Sequence, residues 1–184
     1  MNRVLSRFER GVDAIQGRHP EMPRATVVRI RLVYHVLRQL LDHLEHFFDE
    51  QGISASAWGM LMMLYSTPKG RVNPSTLSDS LVQSRTHMTR VADELVAKGL
   101  VERVASVSDR RRIELSLTRE GRGFIQRVMP LAWQDYGGCL EAFTLSEAEV
   151  FERLLRKLSE HLENLEPATP ALQAQAPGRR INRP

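Results

Sequence analysis

At 184 residues, 42% hydrophobic and 26% charged, the chain is long enough to bury one substantial core. No apolar run nears the roughly 20 residues that span a bilayer. Residues 1–10 carry Arg3, Arg7, Glu9 and Arg10 rather than an apolar signal segment, and the single cysteine, Cys139, excludes an internal disulfide framework and suits a reducing, cytoplasmic setting. The net charge of +4 is modest, and residues 167–184 hold Arg179, Arg180 and Arg183, so the placement of charge matters more than its sum.

Arg3 to Gln16 reads as a short helix, closed by Gly17 and broken by Pro20 and Pro23. From Arg24 to Glu50 apolar residues recur at helical spacing: Val27, Ile30, Val33, Tyr34, Leu37, Leu40, Leu41, Leu44, Phe47 and Phe48. Charged residues fill the gaps, which predicts a long amphipathic helix ending near Gly52. Ser54 or Ser56 can cap a helix through Tyr65, stopped by Pro68 and Gly70. Asn73-Pro74 is an N-cap followed by proline at the first helical position, opening a short helix to Val82. Ser84 then caps a helix from Arg85 to Lys98, with Gly99 as its stop.

Beyond Gly99 the period changes to two. Leu100 to Val104 leads into a polar, charged stretch, after which Ile113, Leu115 and Leu117 alternate with Glu114 and Ser116. This predicts a two-stranded hairpin with a long basic tip. Thr118 caps a further helix to about Phe143, which Pro130 should kink and Gly137-Gly138 should weaken. Thr144 to Glu147 (T-L-S-E) is a capping box for a last helix to about Leu165, with Val150, Leu154, Leu155, Leu158 and Leu162 on one face. From Pro167 the chain has little to bury, which predicts disorder over 167–184.

The fold class is therefore mainly α with a small β-hairpin wing, an α+β arrangement of a winged helix-turn-helix lobe and a helical dimerisation region. Residues 1–52 form the N-terminal dimerisation helices, 53–121 the DNA-binding lobe and 122–166 the C-terminal dimerisation helices. The helix after Ser84 can enter a major groove, and its first turns offer Ser84, Arg85, Thr86, His87, Thr89 and Arg90 for base edges and phosphates. Met88, Val91, Leu95 and Val96 face inward, toward Leu61, Leu64 and Leu77. At the hairpin tip Asp109-Arg110-Arg111-Arg112 sets three guanidiniums side by side. They repel one another unless an anion lies between them, and a DNA minor groove supplies that field. Asp109 can hold one arginine in a bidentate pair so that a neighbour is aimed.

Two runs carry a resemblance: S-R-T-H-M-T-R-V-A-D-E-L-V-A-K-G-L-V-E-R (Ser84 to Arg103) and D-R-R-R-I-E-L-S-L-T-R-E-G (Asp109 to Gly121). The chain resembles the MarR family of transcriptional regulators over roughly residues 25–165. The resemblance implies a homodimer built on the N- and C-terminal helices, two recognition helices on a palindromic operator, and repression relieved by a small aromatic acid. The segment before Arg24 exceeds the family pattern and reads as an extra helix on the dimer interface. The N-terminal half is similar to repressors of nicotinate degradation, whose ligand is a hydroxylated pyridine carboxylate.

Where the resemblance would place an effector pocket, the chain offers His35 and Arg38, three apart on one face, with Trp58, Met129 and Trp133. A cation beside an indole suits a planar carboxylate. The expected partners are thus double-stranded operator DNA, a second copy of the chain and an aromatic carboxylate, with no membrane and no cofactor. Two other switches are conceivable from the sequence: a metal site at His43 and His46 with Asp42, Asp49 and Glu50, and a redox role for Cys139. The loose spacing favours a solvated helix face for the first, and a packed thiol beside Gly137-Gly138 for the second. An enzyme is not expected, for there is no glycine-rich phosphate loop, no nucleophile with a placed base and no metal signature. A winged-helix module that binds a protein instead of DNA is the remaining alternative, against which the triple arginine speaks.

Overall fold

The computed structural model describes residues 3–68, 70–73, 84–105 and 113–165. Two compact units divide the chain, residues 1–139 and residues 140–184. The helix expected over Pro74–Val82, with Leu77, and the Asp109–Arg112 tip lie outside the described residues.

In the first unit α1 (Arg3–Gln16) and α2 (Arg24–Glu50) match the sequence reading. Arg24 Nε donates to Asp13 Oδ1 at 2.6 Å, and the Arg31 guanidinium lies 5.5 Å from the centroid of the Phe8 ring. These two contacts and the buried Val12 seat α1 on α2. Within α2 the buried residue is Phe48, near its end. Ile30, Val33, Tyr34, Val36, Leu37, Leu40 and Leu41 are all exposed. Among the described residues, packing thus accounts for the apolar positions at the end of α2, where Phe47 and Phe48 join the core, and not for those over Ile30–Leu41.

Helix α2 ends as the sequence requires. Gly52 adopts φ +79, Gly52 N–H donates to Asp49 O at 2.9 Å, and Ile53 N–H donates to Phe48 O at 3.1 Å. A left-handed residue at this point satisfies the last carbonyls and tucks Ile53 into the core. The same device recurs after α4 (Arg85–Ala97). Gly99 at φ +69 lets Leu100 N–H reach Leu95 O at 3.0 Å, and Leu100 is buried. Between them lies α3 (Ala55–Ser66), whose cap is Ser54 rather than Ser56: Ala57 N–H donates to Ser54 Oγ at 3.1 Å.

The wing is a sheet of three strands, not the expected two. Strand β1 (Arg71–Val72) pairs antiparallel with β3 (Ile113–Leu117), which pairs with β2 (Val101–Ala105), in the order β1-β3-β2. In register, Val72 lies opposite Leu115, and Val101 opposite Leu117. Two residues are too few to show a period of two, so β1 had no signal of its own. Its pairing covers an edge of β3 that would otherwise be bare.

The lobe core gathers Phe48, Trp58, Met60, Leu61 and Leu64 with Met88, Val91 and Leu95, the strand residues Val101, Leu115 and Leu117, and Ile125, Val128 and Ala132. The last three belong to α5 (Arg119–Leu140), which runs through Gly137-Gly138 and ends at Leu140 instead of Phe143. Pro130 sits inside the helix on its exposed side, where the Gln126 carbonyl it leaves unbonded can reach water. The start of α5 is fixed tightly. Thr118 Oγ1 donates to Gly99 O at 2.7 Å and accepts from Gly121 N–H at 2.9 Å. Gly121 lies so close to Leu100 that a Cβ there would overlap its carbonyl oxygen and stand 3.0 Å from its carbonyl carbon. That closeness explains why glycine follows Thr118 by three.

The described part of the second unit holds α6 (Leu145–Glu163), opened by the expected capping box. Thr144 N–H donates to Glu147 Oε2 at 2.8 Å, and the Thr144 hydroxyl donates to the same oxygen at 2.7 Å. These donors hold the Glu147 carboxyl below its ordinary value. Among the described α6 side chains none is buried, although Val150, Phe151, Leu154, Leu155 and Leu162 repeat at helical spacing. No described helix is long and apolar enough to cross a membrane.

Candidate nucleic-acid interface

Helix α4 is amphipathic in the sense its sequence predicts. Ser84 caps it, accepting from His87 N–H at 3.2 Å. Met88, Val91, Ala92 and Leu95 are buried and Val96 is half-buried. On the opposite face Ser84, Arg85, Thr86, Thr89 and Arg90 are exposed. The Thr89 hydroxyl donates to Arg85 O at 2.9 Å, which leaves its oxygen lone pairs outward as acceptors. His87 differs from the others. It is half-buried, and its Nε2 lies 3.1 Å from Ser56 Oγ on α3. Ser56 thus ties the first turn of α4 to α3 instead of capping α3 itself. At the other end, Arg103 Nη2 on β2 meets Asp93 Oδ1 at 2.5 Å and links α4 to the wing strand. Both ties hold the exposed cationic face at a fixed angle to the sheet. Residues 106–112 connect β2 to β3 in sequence, and Asp109, Arg110, Arg111 and Arg112 among them lie outside the described residues.

The expected effector residues are not brought together. His35 and Arg38 line a cleft of about 280 Å³ between α1 and α2, with Leu5, Phe8, Arg31 and Tyr34. Arg38 Nε lies 3.0 Å from both carboxylate oxygens of Asp42. Trp58 is instead a lobe-core residue, 5% exposed and stacked on Phe48 with 5.2 Å between centroids. Near it, burial pushes the Tyr136 phenol above its ordinary value, against an opposing pull from the Trp58 indole. Met129 packs partly against the core, and Trp133 is 64% exposed. An indole on the apolar face of α3 fills the lobe, and periodicity alone could not separate that from a pocket wall.

Cys139 is exposed, not packed at a close helix approach as expected. Partial loss of solvent around the sulfur and the neighbouring Asp135 carboxylate raise its thiol above the ordinary value. A thiol held protonated is a poor nucleophile, which weighs against a reactive sensor cysteine.

The MarR family model matches residues 51–112, from the end of α2 to the last of the three adjacent arginines. The transcriptional repressor MprA of Escherichia coli K12 is 33% identical over 160 residues, covering 87% of this chain and 91% of MprA. The chain belongs to the MarR family. Two solved structures share its fold. Sco3205 from Streptomyces coelicolor, a MarR family transcriptional regulator solved in complex with DNA, has a TM-score of 0.70 at 21% identity, covering 82% of this chain and 94% of that one. BpsR of Bordetella bronchiseptica, whose DNA binding is regulated by 6-hydroxynicotinic acid, has a TM-score of 0.63 at 19% identity, covering 70% and 91%. As a MarR-family member the chain is a transcriptional regulator with a winged-helix lobe and not an enzyme.

Proposed function

We propose that this regulator is a homodimer that represses transcription by holding a palindromic operator, with α4 in the major groove and residues 109–112 of the wing on the minor groove. The observation that carries this reading is the two-faced helix α4. One side is locked into the lobe by Met88, Val91 and Leu95, and the other exposes Arg85, Thr86, Thr89 and Arg90. The DNA complex of Sco3205, which has the same fold, and the repressor role of MprA support it.

Dimerisation rests on apolar faces that packing within the chain leaves open: Ile30, Val33, Leu37 and Leu41 on α2, and Leu154, Leu155 and Leu162 on α6. Residues 1–52 and 122–166 are the dimerisation regions in this reading, 53–121 the DNA-binding lobe and 167–184 a tail. A two-fold dimer presents two recognition helices to two half-sites about one DNA turn apart.

For release, a small aromatic carboxylate is the proposed effector, bound at Arg38 and His35 with Phe8 and Tyr34 as its aromatic walls. The response of BpsR to 6-hydroxynicotinic acid supports that ligand class. Trp58 has no part in it, being committed to the core.

The test is fluorescence anisotropy on operator duplex across a salt series. Affinity should fall steeply with salt. Arg111→Ala should weaken binding to every sequence and lower the salt slope by about one, while Arg85→Ala should also relax discrimination at one position in each half-site. Equal affinity and slope for wild type and both variants would refute the reading. Absent DNA binding would favour a protein-interaction module.

A further inference from the structure

We propose that His43, Asp135 and Cys139 form a binding site for a divalent transition-metal ion, Zn²⁺ foremost. Along the sequence His43 has only loosely spaced neighbours, His46, Asp42, Asp49 and Glu50, which make no ligand set. The structure brings it partners 92 and more residues away. Asp135 and Cys139 are four apart on α5 and so share a face, and His43 comes to that face from α2. One ligand atom from each residue lies within 4.8 Å of the other two. His43 Nε2 is 2.9 Å from Asp135 Oδ1 and 3.1 Å from Oδ2.

A tetrahedral ion with bonds of about 2.0 Å to nitrogen or oxygen and about 2.3 Å to sulfur needs its donors roughly 3.3–3.8 Å apart. With a single sulfur the largest spacing needed is about 3.5 Å, so the His43–Asp135 pair, 2.9 Å apart, opens slightly and the contacts to the sulfur, within 4.8 Å, close by about 1.3 Å at most, within the reach of side-chain rotation. The donors are one imidazole nitrogen, one carboxylate oxygen and one thiolate sulfur. That mixture suits zinc and its neighbours, and disfavours Mg²⁺ and Ca²⁺, which want oxygen alone. Binding releases the thiol proton to solvent as the sulfur–metal bond forms. Three protein donors leave a fourth position for water or a further ligand. Phe48 and Ala132, within two turns of these ligands on their own helices, are both in the lobe core. The ion would thus cross-link α2 and α5 just where they leave it.

A bland alternative is a surface His–Asp ion pair with a thiol nearby, and cobalt titration of the reduced full-length protein separates the two. Co²⁺ should bind at one ion per chain with a near-ultraviolet thiolate-to-cobalt charge-transfer band, and Zn²⁺ should displace it. Cys139→Ser should abolish the band. His43→Gln and Asp135→Asn should each weaken Zn²⁺ binding at least about tenfold. His46→Gln is the control, since His46 lies 3.6 Å from Glu50 on the same helix and takes no part; it should bind as wild type does. Far-ultraviolet circular dichroism checks that every variant is folded. Absence of the band in the wild type, its survival in Cys139→Ser, or unchanged affinity in both His43→Gln and Asp135→Asn would overturn the proposal.

Discussion

Replacing Gly121 by alanine sets two physical effects of opposite sign against each other. In a helix interior alanine is favoured over glycine by about 1 kcal/mol, so propensity alone makes Gly121→Ala stabilising. Packing says the reverse. The new methyl group would overlap the Leu100 carbonyl oxygen and lie 3.0 Å from the Leu100 carbonyl carbon and 3.4 Å from its Cα. These are backbone atoms fixed by the bonds from Leu100 N–H to Leu95 O and from Thr118 N–H to Leu100 O, so no side chain can swing aside. Overpacking of this kind costs about 2–3 kcal/mol, and disturbing one of these bonds adds about 1 kcal/mol. After the propensity gain the net loss is about 2–3 kcal/mol. For a chain of this size that lowers the melting midpoint by about 5–10 °C. Thermal melts at one fixed protein concentration measure it, because dimerisation would make the midpoint depend on concentration. Gly123→Ala is the paired control. Its Cβ would meet the flexible Arg127 guanidinium at an ordinary 3.7 Å, so it should be neutral or stabilising by up to about 1 kcal/mol. A Gly121→Ala midpoint equal to or above that of the wild type would refute the reasoning.

Three further outcomes can be checked. Leu155→Arg places a charge on the bare apolar face of α6; losing about 1.5–3 kcal/mol in each of two copies should weaken the dimer at least about a hundredfold, seen as a shift toward monomer in sedimentation velocity. Glu147 has a folded-state pKa below its ordinary value, so its contribution is present above that value and lost as pH falls through the lower, folded one. Glu147→Gln should accordingly lower the melting midpoint at neutral pH, and the gap to the wild type should shrink in acid. Arg38→Ala should blunt release of DNA by aromatic carboxylates while leaving operator affinity in their absence unchanged; undiminished release would remove Arg38 from the effector site.

Local signals in the sequence were enough wherever one element could satisfy itself. The Ser84 and Thr144 caps, the Gly52 and Gly99 stops and the buried stripe of α4 are all present as read. Features that depend on a distant partner were not legible. Strand β1 exists only because β3 offers it an edge, and two residues carry no period. Ser56 looked like a cap because its alternative, the His87 ring, lies 31 residues on. Trp58 suits a pocket by residue type, yet its burial and its stack on the ring of Phe48 commit it to the core. Cys139, read as packed, is exposed beside Asp135 and His43, a grouping that no spacing rule could assemble. The glycine of the Thr118–Gly121 run is a motif residue in the sequence, and its physical cause is the Leu100 backbone packed against it.

Selection of bound sequences from a randomised duplex pool tests the central claim most directly. The account predicts enrichment of two inverted half-sites centred about 10–10.5 base pairs apart, with Arg85→Ala losing the preference at one position in each. No enrichment, or an enriched sequence bound equally well by the Arg85→Ala protein, would contradict it.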